Sequence, residues 1–264
     1  MYEFSYHRPT SVADAAALLA ANEDAKLLAG GQTYLPTLKQ RLAQPSDLVD
    51  LGGIAELKGI KEEAGGLTIG AMTRHGDVAR SEVVKRVIPA LAALAELIGD
   101  PAVRNRGTIG GSISNNDPAA DYPGALLALG ATVRTNRREI PADDFFTGMF
   151  ETALGRDEIV TAIHFPKPEK AAYVKFPNPA SRYSMVGVLV ARTGGGIRVA
   201  VTGAGPTAFR WTDAENALAG NFSPAAIDGL TADASGLNAD LHASADYRAH
   251  LMKVMAKRAV AAVA

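Results

Sequence analysis

The sequence predicts a protein of mixed helices and strands, divided into two parts. Three observations carry that expectation. Up to about residue 165, helical patterns alternate with short strand patterns, and glycine pairs separate several of them. The alternating segment Glu158 to Phe165 then runs into Pro166-Lys167-Pro168, which is strong enough punctuation to end a domain. Beyond it come three strand-like segments, two of them joined at Gly194-Gly195-Gly196, and then a helical tail. A chain of 264 residues is long enough for two such units.

In chain order, Thr10 or Ser11 can cap a helix with apolar positions at Val12, Ala15, Leu18 and Leu19. Lys26 to Ala29 reads as a short buried strand that Gly30-Gly31 breaks. Thr33 to Leu42 reads as the next helix, and Leu48 to Leu51 as another strand. Gly59 to Glu62 and Leu67 to Ala71 form a predicted hairpin closed by Ala64-Gly65-Gly66. Helices are expected over Arg74 to Arg80, capped by Thr73, and over Val87 to Ile98, ended by Gly99 and Asp100-Pro101. A helix from Tyr122 to Leu129 is entered through Asp121, and strands follow at Ala131 to Thr135 and Arg138 to Ile140. The second part has strands at Ala172 to Phe176, Met185 to Arg192 and Ile197 to Thr202. Its helical patterns lie at Asp213 to Ala219, Pro224 to Leu230 and Ala245 to Val263.

Composition narrows the function. Apolar residues make up 47% and charged residues 21%, the balance of a soluble globular chain. A net charge of −1 supplies no field for nucleic acid or an anionic membrane. No apolar stretch is long enough to span a bilayer, and Met1 to His7 has no basic region followed by an apolar run. A cytoplasmic location is therefore expected. The absence of cysteine excludes disulfides, thiolate nucleophiles and cysteine-bound iron–sulfur clusters within the chain. Five scattered histidines lack metal-ligand spacing, so no metal site is expected.

Two glycine segments stand out. Thr108-Ile109-Gly110-Gly111-Ser112 opens a run of short polar side chains that ends in Asp117-Pro118-Ala119-Ala120-Asp121. Small polar residues bury little apolar surface, so exposed backbone N–H groups, hydroxyls and carboxylates suit a phosphate-bearing ligand. Leu28-Ala29-Gly30-Gly31-Gln32-Thr33 has the same character, between a strand and a helix N-terminus. Neither segment matches GxGxxG or a P-loop. Each also reads as a plain glycine turn, and two in one half of the chain favour a shared ligand. Asp121 suits both a ligand contact and a helix cap, whereas Asp117 reads as a turn residue. Lys175, Arg182, Tyr183 and Ser184 could reach a ligand across a cleft. His75 reads as an ordinary surface-helix histidine, Glu151, Asp157 and Glu158 as solvated carboxylates, and Trp211 as an anchor for the last helices. Gly203-Ala204-Gly205 lacks a third glycine and follows a hairpin, which argues against a dinucleotide loop.

With these residues in view, the chain resembles the FAD-binding medium subunits of the molybdenum hydroxylases, the carbon monoxide dehydrogenase and xanthine dehydrogenase group. The resemblance covers nearly the whole chain. It rests on Ala29 to Thr33, Thr108 to Gly111, Asp117 to Asp121, Asp144-Phe145-Phe146 and Ala172-Tyr173-Val174-Lys175. It implies an α+β fold, with a two-subdomain FAD-binding domain over 1–166 (subdomains about 1–57 and 58–166). A smaller C-terminal domain over 167–264 would carry a three-stranded antiparallel sheet and a helical bundle.

The resemblance also implies the site. FAD would contact Leu28, Ala29, Gly30, Gly31, Gln32, Thr33 and Tyr34, and on the second segment Thr108, Ile109, Gly110, Gly111 and Ser112. Asp121, Ile98, Val160 and Lys175 complete the implied set. Ser112 stands where relatives often carry a longer Asn or Asp, and Pro177 to Tyr183 departs from their paired arginines and Asp-Phe. No residue of this chain need act as a nucleophile or base. The implied partners are a large molybdenum-cofactor subunit and a small [2Fe–2S] subunit, in a dimer of heterotrimers. Electrons would pass from the clusters through FAD to an external acceptor. Two other readings are a stand-alone small flavin-dependent oxidoreductase and a non-catalytic nucleotide-binding protein.

Overall fold

The structure, a computed structural model, describes residues 1–63 and 65–263. Ala64, one of the three predicted turn residues of the first hairpin, lies outside them.

The first layer holds β1 (Ser5–His7), α1 (Val12–Ala21), β2 (Lys26–Leu28), α2 (Tyr34–Lys39) and β3 (Asp47–Asp50). The three strands form a parallel sheet in the order β1-β3-β2, which leaves β2 at an edge with its C-terminal end free to enter a loop. Ser11 caps α1 by accepting from Asp14 N–H at 3.1 Å. Ala15, Leu19, Val49 and Ile54 close a small core under this sheet.

The second layer begins with β4 (Ile60–Glu63), β5 (Gly66–Gly70), α3 (His75–Arg80), α4 (Glu82–Val87) and α5 (Pro89–Glu96). It continues through α6 (Pro101–Arg104), α7 (Ile109–Asn115), α8 (Asp121–Leu129), β6 (Thr132–Thr135) and β7 (Glu139–Pro141). α9 (Ala142–Phe145), β8 (Phe146–Gly148), β9 (Glu151–Thr152) and β10 (Val160–Pro166) complete it. Five strands pair antiparallel in the order β4-β5-β10-β6-β7. α8 is buried along its whole length, as expected for a helix apolar on every face.

The third layer is an antiparallel sheet, β11 (Lys170–Pro177), β12 (Ser184–Thr193), β13 (Gly196–Thr202) and the short β14 (Phe209–Arg210). The two-residue β14 adds a strand to the three expected. α10 (Thr212–Gly220) and α11 (Ala245–Val263) pack on one face, with Trp211 buried among Val199, Leu218 and Met255. The other face of the sheet carries Tyr173, Leu189, Ala191 and Ala200 into the core shared with α8 and α5.

Several elements differ from expectation for identifiable reasons. The helix predicted over Val87 to Ile98 begins only at Pro89, and Val87 instead ends the separate helix α4, because Pro89 lacks an N–H and pushes Ile88 out of the helical region (φ −138°). Asp100-Pro101 starts a helix as well as ending one, since Asp100 accepts from Val103 N–H at 2.9 Å. Thr73 does not cap α3; its hydroxyl is taken by the main chain of Gly59. Pro224 to Ile227 is a single 3-10 turn.

Candidate functional site

A cleft of about 470 Å³ opens where the three layers meet. One wall is the segment after β2. Leu28, Ala29, Gly30, Gly31, Gln32, Thr33 and Tyr34 all line it. Gly31 has φ +75°, a left-handed conformation that glycine adopts without strain, and it turns the chain from β2 into α2. Among the described residues, the backbone N–H groups of Gly30, Gly31, Gln32 and Thr33 have no protein acceptor. Together they form a group of main-chain donors suited to an anionic group.

The opposite wall is α7. Thr108 caps it, with Oγ1 accepting from Gly111 N–H at 3.2 Å. Ile109 N–H donates to Thr73 O (3.1 Å), Gly110 N–H to Ala71 O (2.8 Å) and Ser112 N–H to Thr108 O (3.0 Å). The expectation of free backbone donors therefore fails here, because tertiary contacts and the cap use them all. This wall instead presents side chains. Ser112, Ser114 and Asn115 line the cleft, and among the described residues their polar ends make no hydrogen bond within the protein. Gly110 also serves packing, since a Cβ there would sit 2.6 Å from the Ala71 methyl.

The two walls touch. A Cβ on Gly30 would overlap the Arg106 carbonyl, and one on Gly111 would lie 3.4 Å from the Ala29 methyl. Thr108, Gly110, Gly111, Ser112, Ile98, Asp121 and Val160 line the cleft with the first segment. Ile109 does not; it is fully buried in the core. Lys175 does not line it either. Its side chain is 3% exposed and donates to Asp121 Oδ2 and to Leu97 O, each at 3.0 Å.

Asp121 is buried, and its role as a helix cap is not realised. Ala120 occupies the cap position of α8 without a side-chain bond. Asp121 Oδ1 accepts from Tyr173 Oη (2.5 Å) and Ser184 Oγ (2.8 Å). Burial pushes its pKa up, and the Lys175 ammonium opposes that shift.

Sequence reasoning missed several cleft residues. His75 is buried and lines the cleft, with its ring 5.4 Å from Tyr122 and its Nδ1 enclosed without a partner. Burial, with a smaller contribution from the Arg104 charge, lowers its pKa to about 4, so the imidazole is neutral. Asp117, read as a turn residue, also lines the cleft and accepts from Ala119 N–H at 2.9 Å. Met72, Ile159 and Ser181 line it too, beside Arg182 and Tyr183, which the sequence places near a cleft. Glu158 is 6% exposed, against the solvated expectation. Arg138, Gly155 N–H and Thr135 bind its carboxylate, and the Arg138 hydrogen bond leads in lowering its pKa to about 2. This knot anchors the chain just before Ile159 and Val160.

The cleft fits an extended ligand with an anionic middle and flat apolar ends. Main-chain donors stand on one wall and hydroxyls on the other, with Leu28, Met72, Ile98 and Val160 as apolar surfaces. Among the described residues there is no cluster of metal ligands, and no helix is long and apolar enough to cross a membrane.

Comparison with known proteins identifies that ligand class. Residues 2–168 match the family described as the FAD binding domain in molybdopterin dehydrogenase, and residues 171–263 the CO dehydrogenase flavoprotein C-terminal domain. The carbon monoxide dehydrogenase medium chain of Hydrogenophaga pseudoflava is 39% identical over 97% of this chain and 96% of its own. The nicotine 6-hydroxylase medium subunit of Paenarthrobacter nicotinovorans is 36% identical over 97% and 95%. A solved structure of the Hydrogenophaga pseudoflava carbon monoxide dehydrogenase, lacking the Mo-pyranopterin moiety of its cofactor, superposes with a TM-score of 0.91. It is 40% identical and covers 99% of this chain and 97% of its own. The α+β architecture and the FAD cofactor implied by the sequence agree with these matches. The chain belongs to the family of FAD-binding medium subunits of the molybdenum hydroxylases, flavoprotein components of oxidoreductases.

Proposed function

We propose that this chain is the electron-transfer subunit of a multi-subunit molybdenum hydroxylase. It would receive electrons from [2Fe–2S] clusters on a small partner subunit and pass them through FAD to an external acceptor. A large subunit would hold the molybdenum cofactor and oxidise the substrate, within a cytoplasmic dimer of heterotrimers. We also propose the domain division 1–57, 58–166 and 167–264, and the sixteen residues named from the resemblance as the FAD site, fourteen of them as contacts. Ile109 and Lys175 would act there indirectly, Ile109 by packing and Lys175 through Asp121.

The observation that carries this reading is the set of unpartnered main-chain donors at Gly30 to Thr33, facing the hydroxyls of α7. Oriented N–H groups hold a pyrophosphate without a cationic side chain. Leu28, Met72, Ile98 and Val160 would pack against ring systems and exclude water. FAD, when bound, exchanges electrons singly or in pairs; the protein supplies its position and electrostatic surroundings. The neutral His75 and the paired Asp121 place no unpaired buried charge beside it.

Purification of the full chain with whatever chains accompany it tests the reading. Stoichiometric FAD, together with cysteine-rich and molybdenum-binding partner chains, is the expected result. A flavin-free preparation would overturn the cofactor assignment. Oxidation of an organic substrate by this chain alone would favour a stand-alone flavin oxidoreductase.

A further inference from the structure

The turn between α7 and α8 belongs to the FAD-binding half in sequence, yet the C-terminal sheet holds it. Pro118 O accepts from Gly203 N–H (2.8 Å) and Thr202 Oγ1 (3.2 Å), and Ala120 O from Thr202 Oγ1 (2.5 Å). Ser184 N–H donates to Ala119 O at 3.3 Å. Among the described residues, the donors to the Asp121 carboxylate also come from β11 and β12: Tyr173, Ser184 and Lys175. The Lys175 ammonium bridges this turn to Leu97 O, beside the cleft residue Ile98. Tyr173 reaches Asp121 because residue 187 is glycine; a Cβ there would overlap Tyr173 Oη. Tyr173 and Ser184 lie behind the cleft, whereas Asp121 lines it.

We propose that Tyr173, Ser184 and Lys175 form an interdomain latch. It orients the Asp121 carboxylate and sets the spacing between the Asp121 and Ile98 sides of the cleft. FAD is then held at full affinity only with the C-terminal sheet docked on the Pro118–Asp121 turn. The inference rests on the cleft being the FAD site. A carboxylate has about four acceptor positions, and three are taken from behind, so its orientation toward the cleft is fixed by groups that never meet the ligand. Removing a hydroxyl in this dry setting leaves an under-satisfied charge that must turn or recruit water. Tyr173 and Ser184 are thus positioning residues.

The test uses the full chain as purified, carrying Tyr173→Phe with Ser184→Ala. FAD release on dilution is followed by the rise in flavin fluorescence, and the visible circular dichroism of the bound flavin reports its setting. Met255→Ala, which removes packing between the sheet and the C-terminal helices on the face turned away from the cleft, is the control for lost stability alone. At matched melting loss, the double variant should release FAD at least tenfold faster than the control and show an altered flavin band. Release within twofold of the control, with an unchanged band, would overturn the latch. A wild-type chain that holds no FAD would instead remove the cleft reading, and the latch with it.

Discussion

The two glycine pairs of the cleft look alike in sequence and work in opposite ways. At Gly30-Gly31 the main chain is left open, with four consecutive N–H groups free of acceptors among the described residues. At Gly110-Gly111 the main chain is closed into α7, and its first donors go to Thr73, Ala71 and Thr108. The first pair therefore offers backbone to a ligand, and the second offers room plus the hydroxyls of Ser112 and Ser114. A glycine pair marks close approach, but only the neighbours decide whether a ligand or the protein itself makes that approach.

The comparison breaks most severely at Gly30. Gly30→Ala drives a methyl into the Arg106 carbonyl, and main chain on both sides leaves little room to yield. A loss of about 3 kcal/mol is expected, with the two walls separated and FAD lost. Denaturant unfolding and flavin content measure both. Retained stability would show that the walls are not mutually braced.

The second wall should be more sensitive to acid than the first, because α3 backs it. His75 N–H donates to Gly107 O, and the imidazole is buried neutral. Its folded pKa of about 4 lies below the unfolded 6.5, so the unfolded chain takes the proton first. This contribution is intact above pH 6.5 and is lost as pH falls toward 4, by about 3 kcal/mol at most. Glu158 acts lower, because its stabilisation is full above 4.5 and is lost as pH falls toward 2. Unfolding curves between pH 7.5 and 5 should therefore report His75 alone of the two, and His75→Gln should flatten them. An unchanged slope in that variant would assign the acid sensitivity elsewhere.

Gly111→Ala is the mildest and most discriminating change. Helix propensity gains about 1 kcal/mol, while the methyl, 2.9 Å from Thr108 Oγ1, disturbs a cap worth about 1 kcal/mol. Stability should stay within about 0.5 kcal/mol of the parent, while FAD is released faster because space on the cleft side is lost. Collapse of stability with normal FAD retention would make Gly111 a structural glycine like Gly110.

Much of this was legible in the sequence. Periodicity located α1, α8, α11 and the strands of the two larger antiparallel sheets apart from β14, because long apolar patterns are fixed by burial alone. The glycine segments and the Asp-Pro turn drew attention to most of the cleft. α7 was not legible, since Gly, Ser and Asn are poor helix formers. Its first turn exists because the carbonyls of Ala71 and Thr73 accept its donors. His75 and Glu158 were misread for a related reason: burial of a polar side chain depends on partners remote in sequence, and a single residue carries no sign of them.

By itself, the sequence determined the order of most elements, the absence of cysteine ligands in this chain, and the two glycine segments that line the cleft. Those properties follow from local composition and spacing. Only the tertiary structure decided that the Gly30–Thr33 backbone is open and the α7 backbone closed. It also decided that Asp121 serves the C-terminal sheet rather than its own helix. Hydrogen-bond donors and carboxylates take whichever partner the packed layers bring within 3 Å, and that choice is made across 52 to 63 residues of chain.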